Sequence, residues 1–168
     1  GGPEVSFEGD EVLAQFPYVT GIMTGEGEET FHELAGYYIE RKPETLSGIR
    51  GVAFRDENKG RDIVHTGWRE LMDLSKVPFA YSNLTEFKNR IIYYESSRGC
   101  PFSCSYCLSS IDKKLRFRDI ELVKKELQFF IDNKVPQVKF VDRTFNCKRE
   151  HTLGIWRYLV EHDNGITN

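Results

Sequence analysis

Three cysteines fall within eight positions, Cys100-Pro101-Phe102-Ser103-Cys104-Ser105-Tyr106-Cys107. Thiols crowded in this way read as metal ligands rather than a disulfide framework, which suits a reducing, cytoplasmic setting. Thiolates are the usual ligands of iron–sulfur clusters, and a full set for a 4Fe–4S cube is four. Three ligands leave one iron open, able to chelate a substrate directly as the open position of a catalytic zinc site does. A spacing of three and then two residues lets one loop wrap three corners of a cube, and Gly99 frees the backbone at its entrance. On residue types alone, a structural zinc completed by His151 or Cys147 is the alternative. Zinc modules, however, usually pair Cys-x2-Cys hairpins or end in paired histidines. Cys147 otherwise reads as an ordinary free cysteine.

The 168 residues are enough to bury a real core, as one domain or as parts of two. A hydrophobic content of 39% with 29% charged residues is ordinary for a soluble globular chain. The net charge of −3 makes no electrostatic case for nucleic acid or an anionic membrane as partner. No apolar run approaches the roughly 20 residues that span a bilayer, and the first residues lack a signal-sequence pattern.

Along the chain, Gly1-Gly2-Pro3-Glu4 reads as a loop, and Asp10–Phe16 as one or two helical turns. Tyr18–Thr24 is β-prone and ends in Gly25-Glu26-Gly27-Glu28. Phe31, Leu34, Ala35, Tyr38 and Ile39 then form the apolar stripe of an amphipathic helix, with Pro43 just beyond its end. Gly51–Arg55 and Asp62–Thr66 flank a polar, glycine-ended turn and predict a hairpin. Leu74–Asn89 has no sustained period and reads as a linker. Ile91–Glu95 is a strand that opens into the cysteine loop. Asp119 is the N-cap of a helix striped by Ile120, Val123, Leu127, Phe130 and Ile131. Gln137–Asp142 is a further strand, and Leu153, Trp156, Leu159 and Val160 mark a last helix. The order strand, loop, helix, strand, helix predicts parallel strands with right-handed crossovers. Two parallel strands alone leave their edges unpaired. The chain is therefore expected to be a fragment of a longer protein, or to close its edges by dimerising.

The cysteine loop resembles the radical S-adenosylmethionine superfamily. That family's hallmark is Cys-x3-Cys-x2-Cys after the first barrel strand, with an aromatic residue before the last cysteine, here Tyr106. The resemblance implies that Cys100, Cys104 and Cys107 are the cluster ligands and the catalytic centre, with Tyr106 beside the cofactor. The open iron would bind the amino and carboxylate groups of S-adenosylmethionine, and the reduced cluster would split its sulfonium into methionine and a 5′-deoxyadenosyl radical. The resemblance also implies an electron donor such as flavodoxin or ferredoxin. Such proteins usually carry a Gly-Gly-Glu-like segment after the second strand. Val141–Asn146 stands there without the glycines, but Asp142 offers a carboxylate at a strand end to the amino group. The plainer alternative is that Asp142 and Arg143 cap the next helix or pair with each other.

Gly1–Ser6, then Gly25–Phe31, then a hairpin and the cysteine loop resemble the layout of the cobalamin-binding-domain subgroup. This subgroup includes methyltransferases and the anaerobic Mg-protoporphyrin monomethyl ester oxidative cyclase type. The resemblance implies that Gly25, Glu26, Gly27 and Glu28 lie at strand ends facing the nucleotide side of cobalamin. The subgroup's Asp-x-His-x-x-Gly loop is not among these residues, so cobalamin is expected of the parent protein. The implied fold is α/β. Residues 1–45 would form the C-terminal part of a Rossmann-like cobalamin-binding domain and 46–89 a hairpin linker, while 90–168 would supply the first two βα units of a radical S-adenosylmethionine partial (β/α) barrel. The substrate, a small molecule or otherwise, and the outcome (methylation, cyclisation or a related reaction) are set by parts of such proteins outside this stretch.

His32, His65 and His162 read as isolated surface histidines, and Trp68 and Trp156 as core or interface aromatics. Lys113, Lys114, Arg116 and Arg118 read as a solvated basic face.

Overall fold

A computed structural model describes residues 1–41, 45–88, 90–108 and 114–168. Pro43 and Lys113 lie outside the described residues. The chain divides into two units, Gly1–Met72 and Asp73–Asn168.

In the first unit the expected hairpin is built by β2 (Val52–Asp56) and β3 (Asp62–His65), with Ala53 opposite His65 and Asp56 opposite Asp62. Asp56 accepts the Asn58 N–H, and Gly60 takes a left-handed φ of 65°, so the turn closes where the polar run ends. β1 (Gly21–Met23) adds antiparallel to the other side of β2. α3 (Glu28–Glu40) packs Leu34 and Tyr37 against Ile49, Val52 and Phe54. Its apolar stripe is only partly used. Phe31, Tyr38 and Ile39 are 64%, 59% and 80% exposed, and with Met23 and Leu34 they line an apolar groove of about 440 Å³.

The expected N-terminal loop is instead a short helix, α1 (Pro3–Phe7), followed by α2 (Gly9–Gln15). Pro3 at the first helical position and Glu4 in the first turn favour it locally, and five residues are too few to show a period. Leu13 of α2 is buried with Ile22 and Ala53. His65 is not isolated, since its Nε2 pairs with Asp10 at 2.9 Å. His32 is exposed, as expected.

In the second unit β4 (Ile92–Tyr94) and β7 (Val138–Phe140) are parallel, with Ile92 opposite Val138 and Tyr94 opposite Phe140. Asn168 donates its N–H to Pro136 O (3.1 Å) and accepts from Val138 N–H (2.8 Å), the pattern of a parallel neighbour on β7. Between the strands runs α4 (Ile120–Asp132), where Asp119 accepts the N–H groups of Glu121 and Leu122 and acts as the expected cap. α5 (Arg149–Glu161) follows β7. Val123, Leu127, Phe130 and Ile155 close over Ile92 and Tyr94 to make the core. Full burial of each large apolar side chain contributes roughly 1.5–3 kcal/mol.

Contacts made at long range hold two segments here. Leu74–Phe87 has only 3₁₀ turns, and Phe79, Tyr81, Leu84 and Phe87 pack on this core. The basic run is not a solvated face throughout. Lys114 is exposed, but Arg118 is 6% exposed. Its Nε and Nη2 donate to Glu126 at 2.9 and 2.6 Å, Nη2 donates to Val77 O at 2.9 Å, and Nη1 donates to Leu74 O. No helix among the described residues is long and apolar enough to cross a membrane.

Candidate functional site

The cysteine loop has a closed base. β5 (Ser97–Arg98) and β6 (Arg116–Phe117) pair antiparallel, Ser97 opposite Phe117 and Arg98 opposite Arg116, so the chain leaves and re-enters at one point. Gly99 is required there. Its φ is +94°, and an added Cβ would lie 2.6 Å from Lys114 O. Before the base, Arg98 Nε and Nη2 donate to the Glu95 carboxylate at 3.0 and 2.6 Å, an (i, i+3) pair that stiffens the exit from β4.

Within the loop, Cys100 and Cys107 are half-buried and Cys104 is exposed; none is in a disulfide. The Cys107 N–H donates to Cys104 O at 3.1 Å and turns the chain between them. Tyr106 is 91% exposed. No three histidine, cysteine, aspartate or glutamate side chains stand gathered as a metal-holding group among the described residues. The donor set fits an iron–sulfur cluster: thiols of one short loop, spaced three and two apart, on a backbone anchored at both feet. Cys147 is exposed on the turn before α5.

Asp142, directly after β7, neither caps α5 nor pairs with Arg143 in the contacts it makes. Its Oδ1 accepts from Ser96 Oγ (2.8 Å), Ser97 Oγ (2.5 Å) and Ser96 N–H (3.2 Å), and Oδ2 takes only the longer leg from Ser96 N–H (3.3 Å). Ser96 and Ser97 are buried, so these bonds satisfy hydroxyls that have lost water. His151 of α5, also buried, lies 3.2 Å from Ser96 Oγ through Nε2 and packs on Phe117. Because the single hydroxyl proton of Ser96 goes to Asp142, the network assigns His151 Nε2 as the donor to Ser96. Burial pushes this imidazole below its usual range, the Asp142 charge pulling the other way and Lys148 adding to the fall. A third contact comes from the same segment, where Thr144 Oγ1 donates to Cys100 Sγ at 3.2 Å.

The cysteines and Asp142 thus belong to one unit, at the C-terminal ends of its two parallel strands, where α/β sheets place their ligands. Gly25, Glu26 and Gly27, between β1 and α3, and Glu28, the first residue of α3, belong to the other unit. Gly25 has φ +76°, an added Cβ there would lie 3.2 Å from the Trp68 ring, and its N–H donates to Ser6 Oγ at 3.2 Å, tying this loop to α1. Glu26 accepts the Met72 N–H at 3.1 Å, and a Cβ on Gly27 would meet open space. Trp68 and Trp156 are half exposed and make edge or tilted contacts with Phe7 and Phe145. His162 stacks on Tyr158. Sequence reading missed Ser96, Ser97 and Thr144. The one available signal was two small hydroxyl residues directly after a buried strand, which must find an acceptor elsewhere.

No family model matches the chain. It is 28% identical over 162 residues to an uncharacterized methyltransferase of Pyrococcus horikoshii, covering 92% of this chain and 35% of that protein. It is 29% identical over 143 residues to the anaerobic magnesium-protoporphyrin IX monomethyl ester cyclase of Cereibacter sphaeroides, covering 79% of this chain and 23% of that one. It is 27% identical over 157 residues to the cobalamin-dependent radical SAM methyltransferase TokK of Streptomyces tokunonensis, covering 86% and 23%. The chain thus spans about a third or less of these relatives. Its fold matches that of the cobalamin-dependent S-adenosylmethionine radical enzyme OxsB with a TM-score of 0.75 at 20% identity, over 98% of this chain and 24% of that one. Motif, relatives and fold point the same way: the chain is similar in sequence to methyltransferases and cyclases that include a cobalamin-dependent radical SAM methyltransferase, and it shares the fold of a cobalamin-dependent S-adenosylmethionine radical enzyme.

Proposed function

We propose that this chain carries the cluster-binding core of a radical S-adenosylmethionine enzyme, with Cys100, Cys104 and Cys107 as the ligands of a 4Fe–4S cluster. The observation that carries this reading is the loop itself: three cysteines outside any disulfide, on a segment anchored by β5 and β6 at the C-terminal end of a parallel strand. When bound, the cluster supplies the electron that splits S-adenosylmethionine into methionine and a 5′-deoxyadenosyl radical. The chain's own residues bind and orient. Cys100, Cys104 and Cys107 would hold the cluster with one iron left for S-adenosylmethionine, and Asp142 Oδ2, which carries only a 3.3 Å bond, would accept from its amino group. Tyr106 flanks the cofactor from the loop.

In the parent protein the first unit serves cobalamin through the Gly25–Glu28 loop, where the backbone at Gly27 is open to close approach. Residues 1–45 are the end of a Rossmann-like domain, 46–89 join it to the barrel, and 90–168 are the first two βα units. The uncovered apolar face of α3 and the parallel pairing at Asn168 support this division. Methylation or cyclisation of a small molecule, reduction by a flavodoxin or ferredoxin, a cytoplasmic setting and dimerisation of this stretch belong to the same reading.

The test is anaerobic reconstitution of the chain and of the full-length protein, with iron, sulfide and EPR measured on wild type and Cys104→Ala. A reducible cluster whose signal changes with S-adenosylmethionine, and which Cys104→Ala lacks, is the expected result. Stoichiometric zinc without iron in the full-length protein would sink it.

A further inference from the structure

Thr144 stands at the N-cap position of the Phe145–Cys147 turn, where a threonine hydroxyl ordinarily accepts from the backbone ahead. Here it makes no such bond. Its carbonyl accepts the Cys147 N–H at 3.1 Å, which leaves the turn closed by backbone alone, and the hydroxyl donates instead to Cys100 Sγ at 3.2 Å. Two residues earlier, Asp142 is bound to Ser96 and Ser97, which directly precede the cysteine loop. The end of β7 therefore reaches the loop at two points, once through a carboxylate and once through a hydroxyl on sulfur.

We propose that Thr144 is a positioning residue for the cluster, fixing Cys100 by a hydrogen bond to its sulfur and raising the cluster's reduction potential; this rests on the cluster reading above. A hydrogen bond to a ligating sulfur stabilises the more negative, reduced state and so makes reduction easier. A valine of the same shape removes the donor and keeps the packing, whereas serine keeps the donor and drops a methyl group.

The experiment is an EPR-monitored redox titration of the reconstituted chain as wild type, Thr144→Val and Thr144→Ser, with iron per chain measured on each. The expected result is full iron in all three, a lower midpoint potential in Thr144→Val, and a return toward wild type in Thr144→Ser. Iron lost in Thr144→Val and restored in Thr144→Ser also supports the positioning role. An unmoved midpoint in a fully loaded Thr144→Val, or a Thr144→Ser that behaves as the valine does, overturns the proposal and leaves the cluster reading standing. A wild-type chain and full-length protein that take up no iron overturn both.

Discussion

Arg118→Met removes one member of a charge pair that water scarcely reaches. Arg118 and Glu126 are 6% and 4% exposed, and their closest approach is 2.6 Å. Tyr94 also donates to Glu126, at 2.5 Å, and its hydroxyl is held far above the usual phenol range by burial first and by Glu126 second. Without the guanidinium, the carboxyl group is left in the core with one hydroxyl donor, and the carbonyls of Leu74 and Val77 lose theirs. Breaking a buried pair from one side costs about 3–5 kcal/mol, against a whole-domain stability of about 5–15 kcal/mol. For a unit of this size, that corresponds to a fall in melting temperature of roughly 12–40 °C. Trp156 lies in the second unit and Trp68 in the first, so urea unfolding followed by fluorescence in a Trp68→Phe background reports the unit concerned. The double variant Arg118→Met with Glu126→Gln removes the orphaned carboxyl group and is expected to be more stable than Arg118→Met alone, with a coupling of roughly 1–3 kcal/mol. A single variant within about 1 kcal/mol of wild type, or a double variant no better than the single, would refute the account.

Gly99→Ala places a Cβ 2.6 Å from Lys114 O at a φ of +94°; a loss of about 1–3 kcal/mol is expected, with less iron taken up per chain on reconstitution, and an unchanged urea midpoint with full iron would contradict it. His151 predicts acid sensitivity. Its folded pKa lies below the ordinary value of 6.5, so as pH falls through that value the unfolded chain takes a proton that the folded chain refuses, and stability declines. The urea midpoint should drop between about pH 7.5 and 5.5, and drop less in His151→Gln, which keeps a donor for Ser96; equal drops in both would remove His151 as the cause.

The features legible in the sequence were those whose cause lies within a few residues. The stripe of α3, the Asp119 cap of α4 and the hairpin turn at Asp56–Gly60 each follow from local geometry. The cysteine loop is local in the same sense, since its three thiols fall within eight consecutive residues. A five-residue helix such as α1 lies at the limit of this kind of reading, being too short for a period to show.

What only the tertiary structure decided are the partners brought together across tens of residues. Arg118 looked like one more charge in a basic run, and it is buried because Glu126 and two carbonyls of a distant segment happen to meet it. Asp142 read as a carboxylate for a cofactor's amino group or as a helix cap, and its Oδ1 is engaged by Ser96 and Ser97 because β7 lies beside β4. Thr144 looked like nothing at all until the same pairing set its hydroxyl against Cys100. Residue type and spacing determine which ligands a chain can offer, since that is local chemistry. Which polar groups support those ligands depends on strand pairing, because a buried donor or acceptor takes whatever partner the fold brings within about 3 Å.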